Sequence, residues 1–206
     1  MNNKVNLAVL VSGGGTNLQA LINAQKSGII TSGEIKLVVS SNKNAYALKR
    51  AENAEIKTAV CERKGISQKE FEESILNALE KEKIEVIVLA GFMSILSADF
   101  VKRYPERIIN VHPSLIPSFC GEGFYGLRVH KAALDYGVKV TGATVHFVNE
   151  IPDGGRIIMQ KAVDIEENDT PEILQKRVME NAEWIILPAA AEKVCKEIKE
   201  RKNERI

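Results

Sequence analysis

The sequence predicts a single α/β domain with a mostly parallel, twisted sheet and helices on both faces. Three observations predict it. Short β-rich runs alternate with helical spacings through the first half, the signature of a covered parallel sheet. The run Val86-Ile87-Val88-Leu89-Ala90 shows no polar alternation, as expected of a strand buried on both sides. Finally, 206 residues, 45% of them hydrophobic, suffice for one core.

The elements follow in order. Residues 5–11 form the first strand candidate, which ends at Ser12-Gly13-Gly14-Gly15. Residues 16–25 carry Leu18, Leu21 and Ile22 at helical spacing. A second strand over 35–39, a helix over 45–53 and a third strand over 56–60 come next. Ser67-Gln68-Lys69-Glu70 is a capping-box pattern that opens a helix to residue 81. The fourth strand covers 86–90, a short helix begins near Ser97, and the fifth strand covers 107–111. Residues 112–127 contain two prolines and three glycines without any period and predict a long loop, of the kind that often carries function. A helix over 129–136 follows, and strands over 139–148 and 156–163 flank Asp153. Thr170-Pro171 offers a capping hydroxyl and a first-turn proline. The last helix runs towards Arg201 with a bend expected near Pro188. No repeat, low-complexity linker or domain boundary interrupts the chain.

The composition excludes several classes of partner. With 28 basic and 27 acidic side chains, the net charge of +1 gives no electrostatic reason for nucleic-acid or membrane binding, so small-molecule partners are expected. The mixed charges between Lys196 and Arg205 read as a solvated helix end. Cys61, Cys120 and Cys195 are odd in number and far apart, which argues against a disulfide framework and a zinc site; no metal is expected. Met1-Asn2-Asn3-Lys4 runs straight into the first strand without the pattern of a secretory signal. No window approaches the roughly 20 apolar residues of a membrane span. A cytoplasmic protein is the expectation.

Four segments carry chemistry. Asn110-Val111-His112 puts an amide and an imidazole on one side of a strand or its exit, and Asp153-Gly154-Gly155 adds a carboxylate. A donor, a proton carrier and a tuning charge suit acyl transfer, although the same alternation fits an ordinary edge strand. Ser12-Gly13-Gly14-Gly15-Thr16-Asn17, between strand and helix, offers free amides and the positive helix end to an anion. It lacks the lysine of a Walker loop, and Leu18 stands where a dinucleotide fingerprint needs glycine, so a phosphomonoester is the better ligand. The competing reading is a glycine-rich turn with a threonine cap. Leu89 to Leu96 lies where open α/β sheets bind ligands and would form either a flat ring slot or core packing. His146 would support the site or sit satisfied in the core, whereas His130 reads as a surface or loop-packing residue. Glu183, on an apolar helix face, is either partly exposed or bonded to something polar, and Trp184 reads as packing.

Taken in order, six motifs resemble the folate-dependent phosphoribosylglycinamide formyltransferase family across nearly the entire chain. They are Ser-Gly-Gly-Gly-Thr-Asn-Leu-Gln, Ser41-Asn42-Lys43, Leu-Ala-Gly-Phe-Met, Asn-Val-His-Pro-Ser-Leu-Ile-Pro, Thr-Gly-Ala-Thr-Val-His-Phe-Val and Asp-Gly-Gly. The resemblance implies a Rossmann-like formyltransferase fold and transfer of formyl from 10-formyltetrahydrofolate, as cosubstrate, to the glycinamide amine of a phosphoribosyl substrate. It implies that Asn110 and a protonated His112 stabilise the oxyanion, that His112 shuttles the proton, and that Asp153 favours the imidazolium. By the same resemblance Gly15, Thr16 and Asn17 hold the phosphate and Glu183 the ribose. The folate lies against Met93, Ser94, Ile95 and Leu96, with Asn149, Glu150 and Ile151 closing over its pterin. Residues 1–100 then form mainly the phosphate half and residues 101–206 the catalytic and folate half, in a monomer or homodimer.

The chain departs from the family pattern at four places. Residues 120–126 lengthen the loop after the catalytic segment, and Arg156 stands where proline is common. Gln68 or Lys69 stands where many members offer the folate an arginine, and Glu180 brings a charge one turn before Glu183. A methionyl-tRNA formyltransferase would be expected to add a C-terminal domain and a basic surface, and a formyltetrahydrofolate hydrolase an N-terminal regulatory domain. A non-catalytic phosphometabolite-binding protein is the rival from a different class, against which Asn110, His112 and Asp153 argue.

Overall fold

The computed structural model describes residues 4–204, so the leaderless start read at Met1 to Asn3 and the last residues of the charged tail lie outside it. Strand β1 (Val5–Val11) leads to α1 (Thr16–Ser27), then β2 (Gly33–Ser40), α2 (Tyr46–Asn53) and β3 (Lys57–Val60). Next come α3 (Gln68–Lys81), β4 (Val86–Leu89), α4 (Ala98–Arg103) and β5 (Ile108–His112). The second part consists of α5 (Leu127–Tyr136), β6 (Val140–Phe147), β7 (Ile157–Asp164), α6 (Pro171–Val178), a π-helical turn (Met179–Glu183) and α7 (Trp184–Asn203).

The strands join one sheet in the order β3-β2-β1-β4-β5-β6-β7. From β3 to β5 all pairs are parallel, and β6 and β7 are added antiparallel. Successive side chains of a strand point to opposite faces, and β1 distributes its residues accordingly. Leu7, Val9 and Val11 join Leu18, Leu21, Leu187 and Ala191 on the α1/α7 side. Ala8 and Leu10 join Phe71, Ile75 and Phe100 on the α3/α4 side. Each such fully buried Leu or Ile contributes about 1.5–3 kcal/mol, which fixes the register of the central strands.

Because β2 pairs on one side of β1 and β4 on the other, the winding direction reverses at β1. Ligand crevices of open α/β sheets form at that point, outside the carboxyl ends of the strands. Here it receives the glycine loop after β1, residues 90–97 after β4, and the end of β5.

Helix starts follow the sequence pattern in most places. Ser67 and Glu70 form both halves of the capping box, Ser97 caps α4, and Thr170 caps α6 with Pro171 in the first turn. Each cap stabilises by about 1 kcal/mol. Two local expectations are corrected. The first residue before α1 is Gly15, with φ 72°, and Thr16 lies inside the helix without capping it. A Cβ on Gly15 would stand 2.6 Å from that of Ala47, so close packing of α2 as well as the backbone conformation requires glycine. The departure from α geometry falls at Met179–Glu183 rather than at Pro188, which lies inside α7. That wide turn sits just ahead of the Trp184 carbonyl that Pro188, lacking an N–H, leaves without its usual partner. Among the described residues, no helix is long and apolar enough to cross a membrane.

His130 is also corrected: it is 1% exposed on α5, not at the surface. Neither ring nitrogen has a hydrogen-bond partner among the described residues. Burial, reinforced by the nearby His112, pushes its pKa down to about 4. A group depressed in the fold resists protonation there but not in the unfolded chain, so its stabilisation is full above pH 6.5 and is lost as the pH falls towards 4. The expected loss from this residue is about 3 kcal/mol. Urea unfolding of the native chain and of His130→Leu should therefore diverge between pH 6.5 and pH 4, with the native chain losing more; parallel curves would refute the assignment.

Candidate active site

Strand β5 ends in the site. Asn110 and His112, two residues apart, face the same side, and the antiparallel register sets Asn110 opposite His146 and His112 opposite Thr144. The imidazole of His146 donates from Nδ1 to the Phe147 carbonyl at 2.9 Å, and its Nε2 lies 3.2 Å from Asn110 Nδ2. Asp153 lies between the two rings. Its Oδ2 is 3.4 Å from His112 Nδ1 and accepts the Gly121 N–H at 2.9 Å, while Oδ1 is 3.5 Å from His146 Nε2.

The turn that presents Asp153 is unusual in backbone as well as in contacts. Asp153 itself has φ 55°, a left-handed conformation uncommon for a residue with a side chain. A Cβ on Gly155 would fall 1.7 Å from the Phe147 carbonyl oxygen. The Asp-Gly-Gly sequence is thus a requirement of bringing the carboxylate back against the end of β6. Arg156, which replaces a common proline, stacks over Phe147 at 4.6 Å and pairs with Glu106 at 3.1 Å.

Burial decides the rest state of the dyad. Burial pushes the His112 imidazole down, and the Asp153 charge and the Phe119 carbonyl only partly offset it, so its pKa stays below the ordinary histidine value of 6.5. His112 donates its Nε2–H to the Phe119 carbonyl at 2.9 Å, leaving Nδ1 of the neutral ring facing Asp153. Burial raises the Asp153 carboxyl too, but His146, His112 and the Gly121 amide together hold it below the usual aspartate value. The resting pair is a neutral imidazole beside a carboxylate, because desolvation outweighs the pull of the Asp153 charge towards the imidazolium.

A cleft of about 140 Å³ opens beside this group. One wall is residues 94–96, the other is residues 149–153, and Asn110 and His146 form part of its lining. The structure thereby gathers Ser94, Ile95, Leu96, Asn149, Glu150 and Ile151 with the chemistry. Ile95 and Ile151 are 71% and 61% exposed, a ring slot's pattern rather than a core's. Met93 is exposed and does not line the cleft; its N–H donates to Ser12 Oγ at 2.9 Å. Gln68 lies outside as well, with Nε2 bonded to Glu72 and to the Ile95 carbonyl. A larger apolar groove of about 480 Å³ runs between α1 and α7 with Thr16 and Arg50 on its rim. It contains none of the convergent polar groups of the smaller cleft, which makes the latter the candidate reactive site.

At the glycine loop, Gly13 and Gly14 have no atom within 4 Å of an added Cβ, so the backbone there is open to a ligand. Asn17 donates to Glu183 Oε2 at 2.6 Å, and its buried Oδ1 has no partner among the described residues. Glu183 is buried, and burial raises its carboxyl against the Asn17 hydrogen bond. The wide Met179–Glu183 turn brings it there, resolving the choice left by sequence in favour of a polar partner. Thr16 Oγ1 approaches Met179 Sδ at 3.9 Å, and Glu180 is exposed and paired with Lys176.

Sequence reasoning missed several participants. Arg50 donates from Nε to the Gly14 carbonyl at 2.8 Å. Ser12 shares a 2.7 Å hydrogen bond with Ser41 and holds Met93, which links the glycine loop to the slot wall. Phe119 and Gly121 engage the dyad through backbone groups, for which side-chain identity gives no signal. His146 was left open, and its position opposite Asn110 in an antiparallel pair is the signal that decides it.

Comparison with known proteins agrees with this geometry. The phosphoribosylglycinamide formyltransferase of Haemophilus influenzae (strain ATCC 51907 / DSM 11121 / KW20 / Rd) is 42% identical over 183 residues, 88% of this chain and 83% of that protein. The trifunctional purine biosynthetic protein adenosine-3 of Gallus gallus is 48% identical over 194 residues. That match takes in 94% of this chain but 19% of the relative, so the chain spans about a fifth of the trifunctional protein's length. The crystal structure of glycinamide ribonucleotide transformylase 1 from Symbiobacterium toebii superposes with a TM-score of 0.88 at 35% identity, covering 96% of this chain and 90% of that one. With the formyl transferase family model matching residues 5–190, around the same cleft and dyad, the chain belongs to the formyl transferase family.

Proposed function

We propose that this chain transfers the formyl group of 10-formyltetrahydrofolate to the amine of 5-phosphoribosylglycinamide, giving formylglycinamide ribonucleotide and tetrahydrofolate in purine (IMP) biosynthesis. The observation that carries the reading is a narrow apolar-walled cleft at the sheet's switch point, lined by Asn110, His146 and Asp153, with His112 behind it against Asp153 and an open glycine loop beside it. In this reading the loop amides at Gly15, Thr16 and Asn17 take the phosphate, and Glu183 takes ribose hydroxyls. Residues 94–96 and 149–151 take the pterin, with Met93 holding that wall from the glycine-loop side and Gln68 from behind.

The electrostatics suit the chemistry. Attack of the amine on the formyl carbon places negative charge on the formyl oxygen, and the Asn110 amide, held beside His146, is a positioned donor. The amine must lose a proton as the folate nitrogen gains one. A neutral His112 is the form able to accept it, directly or through a water, and Asp153 beside Nδ1 stabilises the imidazolium that results. The Nε2–H then donates to the oxyanion in place of the Phe119 carbonyl. A binding protein without turnover has no use for this buried dyad.

The deciding assay supplies both substrates and follows formylated nucleotide. Formyl transfer that depends on the nucleotide supports the reading, and tetrahydrofolate release without nucleotide would make the chain a hydrolase instead. His112→Ala should lower kcat by about 10²- to 10³-fold with the nucleotide KM within about twofold. Unchanged turnover would remove His112 from the mechanism. Asp153 raises the His112 pKa, so Asp153→Asn should move the acid limb of the kcat/KM profile to lower pH; a limb that stays in place would reject the tuning role.

A further inference from the structure

The wall of the slot has a back side. On α3, Glu72 is 7% exposed and has no Lys or Arg partner among the described residues. Its Oε1 accepts the Ser97 N–H and a Gln68 Nε2 hydrogen, each at 2.6 Å, and its Oε2 accepts the Ser97 hydroxyl at 2.6 Å. Gln68 passes the connection on, donating from Nε2 to the Ile95 carbonyl at 3.0 Å. Ser97 also caps α4 by accepting the Phe100 N–H at 3.2 Å.

Burying a carboxyl group without a cation disfavours folding, and the neighbours of Glu72 on its helix face, Phe71, Ile75 and Leu79, show that α3 packs well with apolar residues. The carboxyl is therefore placed for what it holds. The segment it holds is packed into the core at Phe92 and Leu96, but not at the residues between them. Gly91 leaves β4 with φ 70°, Met93 and Ile95 are mostly exposed, and the front of the segment is pinned through Met93 N–H to Ser12. Between those ends lie Ser94 and Ile95, which face the cleft. Between the core anchors Phe92 and Leu96, hydrogen bonds set the position of this wall.

We infer that Glu72 is a positioning residue for the formyl donor: through Ser97, Gln68 and the Ile95 carbonyl it sets the width of the slot that receives the folate ring. This rests on the proposed reading of the cleft as the folate site. Glu72 never touches the ligand, and its effect reaches folate binding without passing through the glycine loop.

Steady-state kinetics of the full chain test this. Glu72→Gln, which keeps the shape but reverses one hydrogen bond, should raise the KM for 10-formyltetrahydrofolate about tenfold, with the nucleotide KM and saturated kcat within about twofold. A purely structural role would move both KM values and kcat together, and that result, or an unchanged folate KM, would overturn the inference. If Glu72→Gln does not fold, Ser97→Ala decides on the same readouts, because it removes the hydroxyl arm and leaves the carboxyl in place. Equilibrium binding of tetrahydrofolate to Ile95→Asp separates the two levels. Unchanged binding there would sink the slot itself; weakened binding there with normal folate affinity in Glu72→Gln would sink only the role of Glu72.

Discussion

The second half of this molecule is organised around one carboxylate. Asp153 stands 3.4 Å from His112, 3.5 Å from His146 and accepts the Gly121 amide, so it ties together the end of β5, the antiparallel strand β6, the turn before β7 and the long loop. Holding it there requires a left-handed backbone at Asp153 and a glycine at position 155. Left-handed conformations at residues with side chains cost free energy, and they persist where the surroundings over-determine them. Two buried imidazoles and an amide supply that determination, and in return the carboxyl remains ionised despite its burial.

The sheet explains why the glycine loop and the slot both open towards one crevice near this carboxylate. Reversal of winding at β1 opens a crevice whose one side is the glycine loop and whose other side is the segment after β4. Ser12 belongs to the first and holds Met93 of the second, so the anion loop and the ring slot are built on a shared hydrogen bond. The change from parallel to antiparallel pairing at β5 then turns His146 towards Asn110. A continued parallel sheet would not bring a turn like that of Asp153 back over the same strand end.

Much of this was legible in the residues. Strand β1 begins and ends where its apolar run does, and the capping residues Ser67, Ser97 and Thr170 all act as their types suggest. The grouping of Asn110, His112 and Asp153 followed from motif and resemblance together. What escaped was of two physical kinds. Tertiary burial escaped because helical spacing alone does not say what covers a face: His130 is in the interior, and His112 is neutral because desolvation exceeds the pull of its partner. Backbone participation escaped because any residue can provide it, as Phe119 and Gly121 do. The wide turn before Trp184 also has no side-chain signature, although it is what delivers Glu183 to Asn17.

The proposed proton transfer depends most directly on the resting state of the dyad: a neutral His112, protonated on Nε2, beside an ionised Asp153. Nitrogen-15 NMR of the imidazole rings, titrated from pH 8 to pH 5 in the free protein, reads both tautomer and pKa. The account predicts a His112 ring carrying its proton on Nε2 at neutral pH and titrating below the ordinary histidine value of 6.5. A ring doubly protonated at pH 7, or one protonated on Nδ1 when neutral, would contradict it.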